Sequence, residues 1–193
     1  MIALARAKKF TEKEMFIETK KLLLQHGYEG FTFSLLAKSL GVSRAAIYKY
    51  YQNKEELISF FMISEFEAYL RELKKIHSLD NFEGQLEYLL NVIFQNEEIH
   101  KLIETGQQVQ ANASKQTKLN IQKLNEMHLK MYNELQSFIK LGREENKIKQ
   151  HIPDQLILGI IFQTISIPNI QKVPKDEWIA SIKEIICYGM FTK

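Results

Sequence analysis

The sequence predicts an all-α fold of about nine helices. Along nearly the whole chain, apolar residues recur at steps of three and four, the spacing that places them on one face of a helix. Residues that favour helix starts precede several of these segments. The chain has only eight glycines and three prolines, about half the average share of the two residues. Because β-rich folds need many tight turns, this scarcity argues against them.

The first four helices are predicted close together in the first third of the chain. A capping box of Thr11 and Glu14 starts the first helix, which should run to about residue 25. Gly27 is its expected left-handed terminator. The next three helices are expected at residues 32–40, 43–51 and 53–73, with Thr32, Ser43 and Asn53 as their N-caps.

Five more helices are predicted beyond residue 80. They are expected at residues 82–95, about 97–110, 118–146, 153–167 and from 175 onward. The span 118–146 is the longest because one apolar stripe runs along it. That stripe consists of Leu124, Met127, Met131, Leu135 and Phe138.

Composition restricts the class of protein. Cys187 is the single cysteine, so neither a disulfide framework nor a thiolate zinc site is expected. The longest apolar stretch, residues 156–167, is too short and too polar to span a bilayer. No secretory signal pattern precedes it. We therefore expect a soluble cytoplasmic protein that does not bind membranes.

Charge is distributed unevenly along the chain. Residues 1–54 carry ten Lys or Arg and four Glu, whereas the remaining residues carry sixteen basic and nineteen acidic side chains. A basic N-terminal region beside an acidic remainder is typical of a head that binds a polyanion. A solvated charged surface is the alternative explanation.

Residues 33–52 have the pattern of a helix-turn-helix. Ala37 provides the small side chain that two closely crossing helices require, and Gly41 provides the positive φ of the turn. Four apolar residues are placed to seal the angle between the helices: Leu36, Leu40, Val42 and Ile47.

The helical period predicts which face of the second helix points outward. Ile47 and Tyr51 should turn inward, and Arg44, Ala45, Tyr48 and Lys49 should point to solvent. Arginine reads guanine, an alanine methyl packs on thymine, and tyrosine and lysine suit phosphates. The burial of Tyr50 stays open. Lys54, at the start of the next helix, is either a phosphate ligand or a solvated lysine.

Residues 10–58 resemble the DNA-binding head of the TetR family of transcriptional regulators. The resemblance rests on Gly27–Phe33, Leu36-Ala37, Gly41–Ser43, Ile47–Tyr51 and Lys54–Leu57. It departs from the family at Phe31, where threonine is common, and at Leu35, where a polar residue is common.

The resemblance implies a three-helix DNA-binding domain over residues 1–55, with a linking helix from about residue 54. An effector-binding and dimerisation domain would follow over residues 56–193. It also implies a homodimer that binds double-stranded DNA at a palindromic operator and is released by a small-molecule effector. Thr32, Tyr48, Tyr50 and Lys54 would contact phosphates, and Ser43 and Arg44 would lie near the bases or the backbone.

Two further sites are expected in the body. The helix at 153–167 is apolar on more than one face, so a second subunit or the rest of its own chain must cover it. The expected dimer interface comprises Leu156, Gly159, Ile160, Gln163, Trp178, Ile182, Ile185, Ile186 and Gly189. The expected pocket for an apolar or amphipathic effector comprises Leu90, Phe94, Met127, His128, Met131 and Tyr132, which plain core packing would also explain.

Catalysis is not expected. The five histidines never fall three or four residues apart, and the chain has no glycine-rich phosphate loop and no nucleophile elbow. No catalytic residue, metal site or cofactor is therefore assigned. The sequence favours a DNA-binding transcriptional regulator, most simply a repressor. The alternative is a helical ligand-binding or adaptor protein whose head does not bind DNA.

Overall fold

The computed structural model describes residues 10–95 and 99–190. Over these ranges the chain forms ten α-helices and two 3₁₀ segments, without a strand. The helices are α1 (Glu12–Gly30), α2 (Phe33–Ser39), α3 (Arg44–Tyr48), α4 (Lys54–Leu73), α5 (Phe82–Phe94), α6 (Ile99–Gln108), α7 (Lys115–Glu134), α8 (Gln136–Glu144), α9 (Asp154–Gln163) and α10 (Lys175–Tyr188). The 3₁₀ segments, Lys74–Ser78 and Thr164–Ser166, follow α4 and α9. The all-α prediction is confirmed.

The structure confirms most of the predicted helix starts. Thr11 and Glu14 form the predicted capping box, with hydrogen bonds in both directions. Thr32 Oγ1 accepts the Leu35 N–H, and Asn53 Oδ1 accepts the Glu56 N–H. The expected start of the sixth helix at residue 97 lies outside the described residues. At the starts of α1, α2 and α4, the side chains of Thr11, Thr32 and Asn53 thus accept hydrogen bonds from first-turn N–H groups, which have no partner within their own helix.

The predicted helix over 118–146 is wrong as a single element. Leu135, with φ −91° and ψ 4°, separates α7 from α8. Met131, Leu135 and Phe138 are nevertheless all buried, so the apolar stripe continues across the break. One non-helical residue interrupts the helix without disturbing the spacing of the stripe, so the periodicity did not reveal the break.

Other helix ends also differ from the expected ones. Gly27 has the expected positive φ of 66°, but helical structure resumes after this kink and α1 continues to Gly30. Helix α3 ends at Tyr48 rather than near residue 51. Helix α9 ends at Gln163, and a 3₁₀ segment replaces its last predicted turn.

Contacts divide the chain into two compact units. Unit 1 comprises Met1–Glu65 and Lys101–Leu124, and unit 2 comprises Phe66–His100 and Asn125–Lys193. The sequence suggested a boundary between residues 55 and 56. The contact boundary lies further along α4 and adds residues of α6 and α7 to the N-terminal unit. The functional assignment of the two parts remains a prediction.

Each unit has its own apolar core. In unit 1 the largest fully buried side chains include Phe31, Leu36, Ile47 and Phe61. In unit 2, Phe82 stacks on Phe138 with ring centroids 4.9 Å apart. Gly142 admits this stacking, since a Cβ at that position would lie 2.7 Å from the Phe82 ring. Within the described residues, no helix is both long enough and apolar enough to span a bilayer.

Candidate nucleic-acid interface

Helices α2 and α3 cross closely at a tight turn. The Val42 N–H donates to the Ala37 carbonyl at 2.9 Å, and Gly41 has a φ of 64°. Ala37 is buried at the crossing, and Ile47 is fully buried beneath α3. The predicted roles of Ala37, Gly41 and Ile47 are therefore confirmed, and α3 is held at a defined angle on the core of unit 1.

The outward face of α3 carries the side chains that the helical period placed there. Ser43, Arg44, Ala45, Tyr48 and Lys49 are all exposed. Ser43 is the N-cap residue of α3, but its hydroxyl makes no capping hydrogen bond. Tyr51 turns inward as predicted and is 5% exposed. The result is an exposed face with two cations, a phenol, a hydroxyl and a methyl group, which suits contacts with both phosphates and base edges.

Two aromatic contacts position the tyrosines near this face. Tyr48 packs edge-to-face on Phe33, with ring centroids 5.0 Å apart. Tyr50, whose burial the sequence left open, is exposed, and its ring packs against Phe10 at 5.6 Å. Both hydroxyls therefore sit on rings that have partly lost their freedom to rotate. Thr32, also exposed, is the N-cap of α2.

Arg44 contacts Tyr48 one helical turn away. Its Nη2 donates to the Tyr48 hydroxyl at 3.2 Å, and its guanidinium carbon lies 5.7 Å from the centre of the tyrosine ring. The sequence pattern assigned each of the two side chains its own contact with DNA. The signal that pointed to the pair is their i, i+4 spacing, because residues four apart are neighbours on a helix.

Lys54 is already engaged inside unit 1. Its Nζ donates to the Tyr28 carbonyl at 3.1 Å and lies 4.0 Å from the centre of the Tyr28 ring. The Tyr28 hydroxyl donates to Glu55 at 2.9 Å. Burial, together with this carboxylate, raises the pKa of Tyr28, so the phenol stays protonated at physiological pH. The role of Lys54 as a phosphate ligand remains a prediction. It requires the ammonium group to bind a phosphate and the Tyr28 carbonyl at the same time.

The six residues predicted to line an effector pocket line neither of the two surface cavities described below. Leu90, Met127 and Met131 are buried, and Phe94 and Tyr132 pack against the core of unit 2. His128 is exposed, with its ring centroid 4.4 Å from that of Phe66. Core packing explains the buried positions of most of these side chains. A pocket at these residues remains a prediction, and it requires the packed side chains to move apart to admit a ligand.

Two surface cavities lie elsewhere in unit 2. One of about 320 Å³ is lined by Gln136, Lys140, Arg143, Glu144, Gln150 and Asp154. The other, of about 190 Å³, is lined by Glu67, Leu70, Arg71, Lys74, Lys130 and Glu134. Neither contains a residue of the predicted pocket. Among the described residues, no group of three or more His, Cys, Asp or Glu side chains is placed to hold a metal ion.

The residues predicted for a dimer interface fall into three groups by exposure. Leu156, Ile160, Gln163, Ile185 and Gly189 are exposed, and Gly159, Trp178 and Ile186 are partly buried. Ile182 lies in the core of its own unit and is 4% exposed. Helix α10 is apolar on two sides, so the sequence alone did not separate its inward residue Ile182 from its outward residue Ile185.

Helices α2 and α3 form a helix-turn-helix, in which a tight turn joins two helices and the second helix is exposed. This arrangement is typical of DNA-binding proteins. The model of a family described as bacterial regulatory proteins, tetR family, matches residues 18–59, a range that contains α2 and α3. YvaF of Bacillus subtilis, an HTH-type transcriptional regulator, is 28% identical over 132 residues. That match covers 67% of this chain but only 60% of YvaF. Residues 18–59, which contain the exposed face of α3, therefore match the DNA-binding part of the TetR family of bacterial regulators.

Solved structures with the same fold extend over nearly the whole chain. FadR of Bacillus subtilis, in complex with stearoyl-CoA, has a TM-score of 0.70 at 20% identity and covers 94% of this chain and 100% of its own. AibR, in complex with isovaleryl coenzyme A and operator DNA, has a TM-score of 0.68 at 15% identity and covers 93% of this chain and 99% of its own. At these identities the likeness shows the fold.

Replacing Lys54 tests the contact that the structure gives it. Lys54→Met removes the ammonium while keeping most of the apolar stem. We expect the free energy of unfolding without DNA to fall by about 1 kcal/mol, because one hydrogen bond and one cation–π contact are lost. Thermal unfolding of the DNA-free protein measures this effect.

The matched control is Lys49→Met on the exposed face of α3. It should change the unfolding free energy by less than about 0.5 kcal/mol, as is usual for a surface site. Equal stability of both variants and the wild type would show that the contact between Lys54 and Tyr28 contributes nothing to the fold.

Proposed function

We propose that this protein is a sequence-specific DNA-binding transcriptional regulator, acting as a homodimeric repressor that a small-molecule effector releases from its operator. The observation that carries the proposal is the exposed face of α3. Its cations and hydroxyls point outward, while Ile47 and Tyr51 anchor the helix from behind. Such a helix lies in the major groove, with arginine available for base edges and lysine for phosphates.

Selection of fragments from a random pool of double-stranded DNA tests this function. We expect the wild type to enrich a palindrome and Arg44→Ala to relax the preference at one base pair, at a cost of about 1–3 kcal/mol. Affinity for the enriched fragment should fall steeply with salt, because binding to phosphates releases counterions.

The outcome decides between two classes of protein. If the wild type enriches no sequence even at low salt, the regulator assignment is lost. The helical ligand-binding or adaptor protein would then be the better description. A uniform loss of affinity in Arg44→Ala over all sequences would remove its role in base reading.

A two-fold dimer is the second part of the proposal. Leu156, Ile160 and Ile185 are each about half exposed on α9 and α10, and Tyr188 on α10 is 76% exposed. Large apolar side chains left exposed in this way are typical of a protein interface. Two heads related by a two-fold axis would reach successive major grooves roughly 34 Å apart.

Charge substitution on that surface tests the dimer. Ile185→Glu should yield a monomer in sedimentation at micromolar concentration, because a carboxylate cannot be buried unpaired at an apolar interface. Leu129→Glu is the matched control, since Leu129 is 67% exposed on α7 and is not among the residues predicted for the interface. A wild type that sediments as a monomer, or an Ile185→Glu variant that stays dimeric, would refute this interface.

We propose that effector binding changes DNA binding through the starts of α4 and α7. These two segments are hydrogen-bonded to each other within unit 1. The Asn120 Nδ2 donates to Ser59 Oγ at 2.9 Å, and the Ser114 hydroxyl donates to Glu56 at 3.2 Å. Ser59, Asn120 and Glu56 are buried, so breaking these bonds would leave polar groups unsatisfied. A displacement of α7 should therefore move α4 and change the spacing of the two heads.

For the second unit we propose an amphipathic effector of the acyl-CoA class. Buried Met127 and Met131 offer an adaptable apolar lining for a chain. On the same helix, Lys130 lines a cavity with Arg71 and Lys74, three cations suited to phosphates that outnumber the two carboxylates there, Glu67 and Glu134. The complexes of FadR with stearoyl-CoA and of AibR with isovaleryl coenzyme A support this class.

The proposed effector is tested by whether it releases the protein from the selected DNA fragment. Stearoyl-CoA should weaken DNA binding by about tenfold or more, a usual size for coupling between two sites. Free coenzyme A, which lacks the chain, is the control and should not. Fluorescence anisotropy of labelled DNA measures both. If stearoyl-CoA leaves the affinity unchanged, long-chain acyl-CoA is not the effector.

A further inference from the structure

Arg44 and Tyr48 form a connected pair on the exposed face of α3. The Arg44 Nη2 lies 3.2 Å from the Tyr48 hydroxyl oxygen, and the guanidinium carbon lies 5.7 Å from the ring centre. Both side chains are exposed, so the contact is formed before any DNA is present. A long arginine side chain otherwise samples many rotamers, and fixing it on binding costs entropy.

Tyr48 is itself fixed from below. Its ring contacts Phe33 edge-to-face at 5.0 Å, and Phe33 is 5% exposed at the first position of α2. The N-cap bond from the Leu35 N–H to Thr32 Oγ1, 3.3 Å long, holds the start of that helix. A chain of contacts therefore connects the core of unit 1 to the guanidinium through one aromatic ring.

The hydrogen-bonding capacity of the pair leaves both side chains able to bind DNA. A phenol oxygen accepts one N–H and still has its own proton to donate. A guanidinium has five N–H donors, of which this contact uses one, and the free edge retains the fork that fits the O6 and N7 atoms of guanine. One hydroxyl can thus accept from Arg44 and donate to a phosphate at the same time.

We propose that Tyr48 is a specificity-determining positioning residue that holds Arg44 in the orientation in which it reads its base. The inference rests on the proposed function, since it requires α3 to bind DNA. It also changes the role expected for Tyr48 from the sequence, where the phenol was a phosphate contact alone. Removing its hydroxyl should alter which base is preferred at the position of Arg44, whereas loss of a phosphate contact would weaken all sequences alike.

A double-mutant cycle on DNA affinity and base preference tests the proposal. The variants are Arg44→Ala, Tyr48→Phe and the combination of the two. Tyr48→Phe keeps the ring on Phe33 and removes only the hydroxyl, so the fold is retained, which circular dichroism checks. Tyr50→Phe is the matched control, because Tyr50 is a phenol of similar exposure, 43% against 48% for Tyr48, and its ring contacts Phe10.

The expected result has two parts. Tyr48→Phe should reduce the preference at the base pair read by Arg44 by about threefold or more, whereas Tyr50→Phe should leave the selected site unchanged. The loss in the double variant should be smaller than the product of the two single losses by about threefold or more, as expected for side chains in direct contact.

Two different failures can be distinguished. If the wild type selects a site but Tyr48→Phe keeps the same base preference and the losses multiply, the positioning role is overturned and the regulator assignment stands. If the wild type selects no site, the proposed function fails first, and the positioning role fails with it.

Discussion

The close crossing of α2 and α3 is the constraint on which the rest of the candidate site depends. At the crossing, Ala37 places a small buried side chain between the helices and Gly41 adopts a positive φ. Ile47 then closes the space beneath α3 with no exposed surface. Because α3 has only five residues, its own hydrogen bonds are too few to maintain it, and packing on the rest of unit 1 determines its direction.

Aromatic rings at the edge of the exposed face position several of its polar side chains. Phe33 carries Tyr48, and Phe10 contacts Tyr50, so side chains that point to solvent rest on rings anchored in the unit 1 core. The ring of Tyr28 likewise contacts the ammonium of Lys54 at the start of α4. Such support reduces the conformational entropy that would be lost on binding a polyanion. A charged surface built in this way is more ordered than its exposure suggests.

Sequence reasoning predicted the helix-turn-helix almost residue by residue. The helical period alone gave the inward direction of Ile47 and Tyr51 and the outward direction of Arg44, Tyr48 and Lys49, because one side of this segment packs on the core and the other faces solvent. The prediction was poorer in unit 2. There the stripe from Met127 to Phe138 continued across the break at Leu135, and Ile182 and Ile185 on α10 were placed on one surface although the structure separates them.

The sequence by itself determined the all-α class, most helix starts and the set of side chains offered by α3. These depend on local rules: capping, the 3.6-residue period and the conformational freedom of glycine. Only the tertiary structure decided that Lys54 is engaged by Tyr28, that Phe33 supports Tyr48, and that four of the predicted effector residues (Leu90, Phe94, Met131 and Tyr132) lie in or against the core of unit 2. Lys54 and Tyr28, like Phe33 and Tyr48, lie on different helices, and no local rule relates residues that meet only when helices pack.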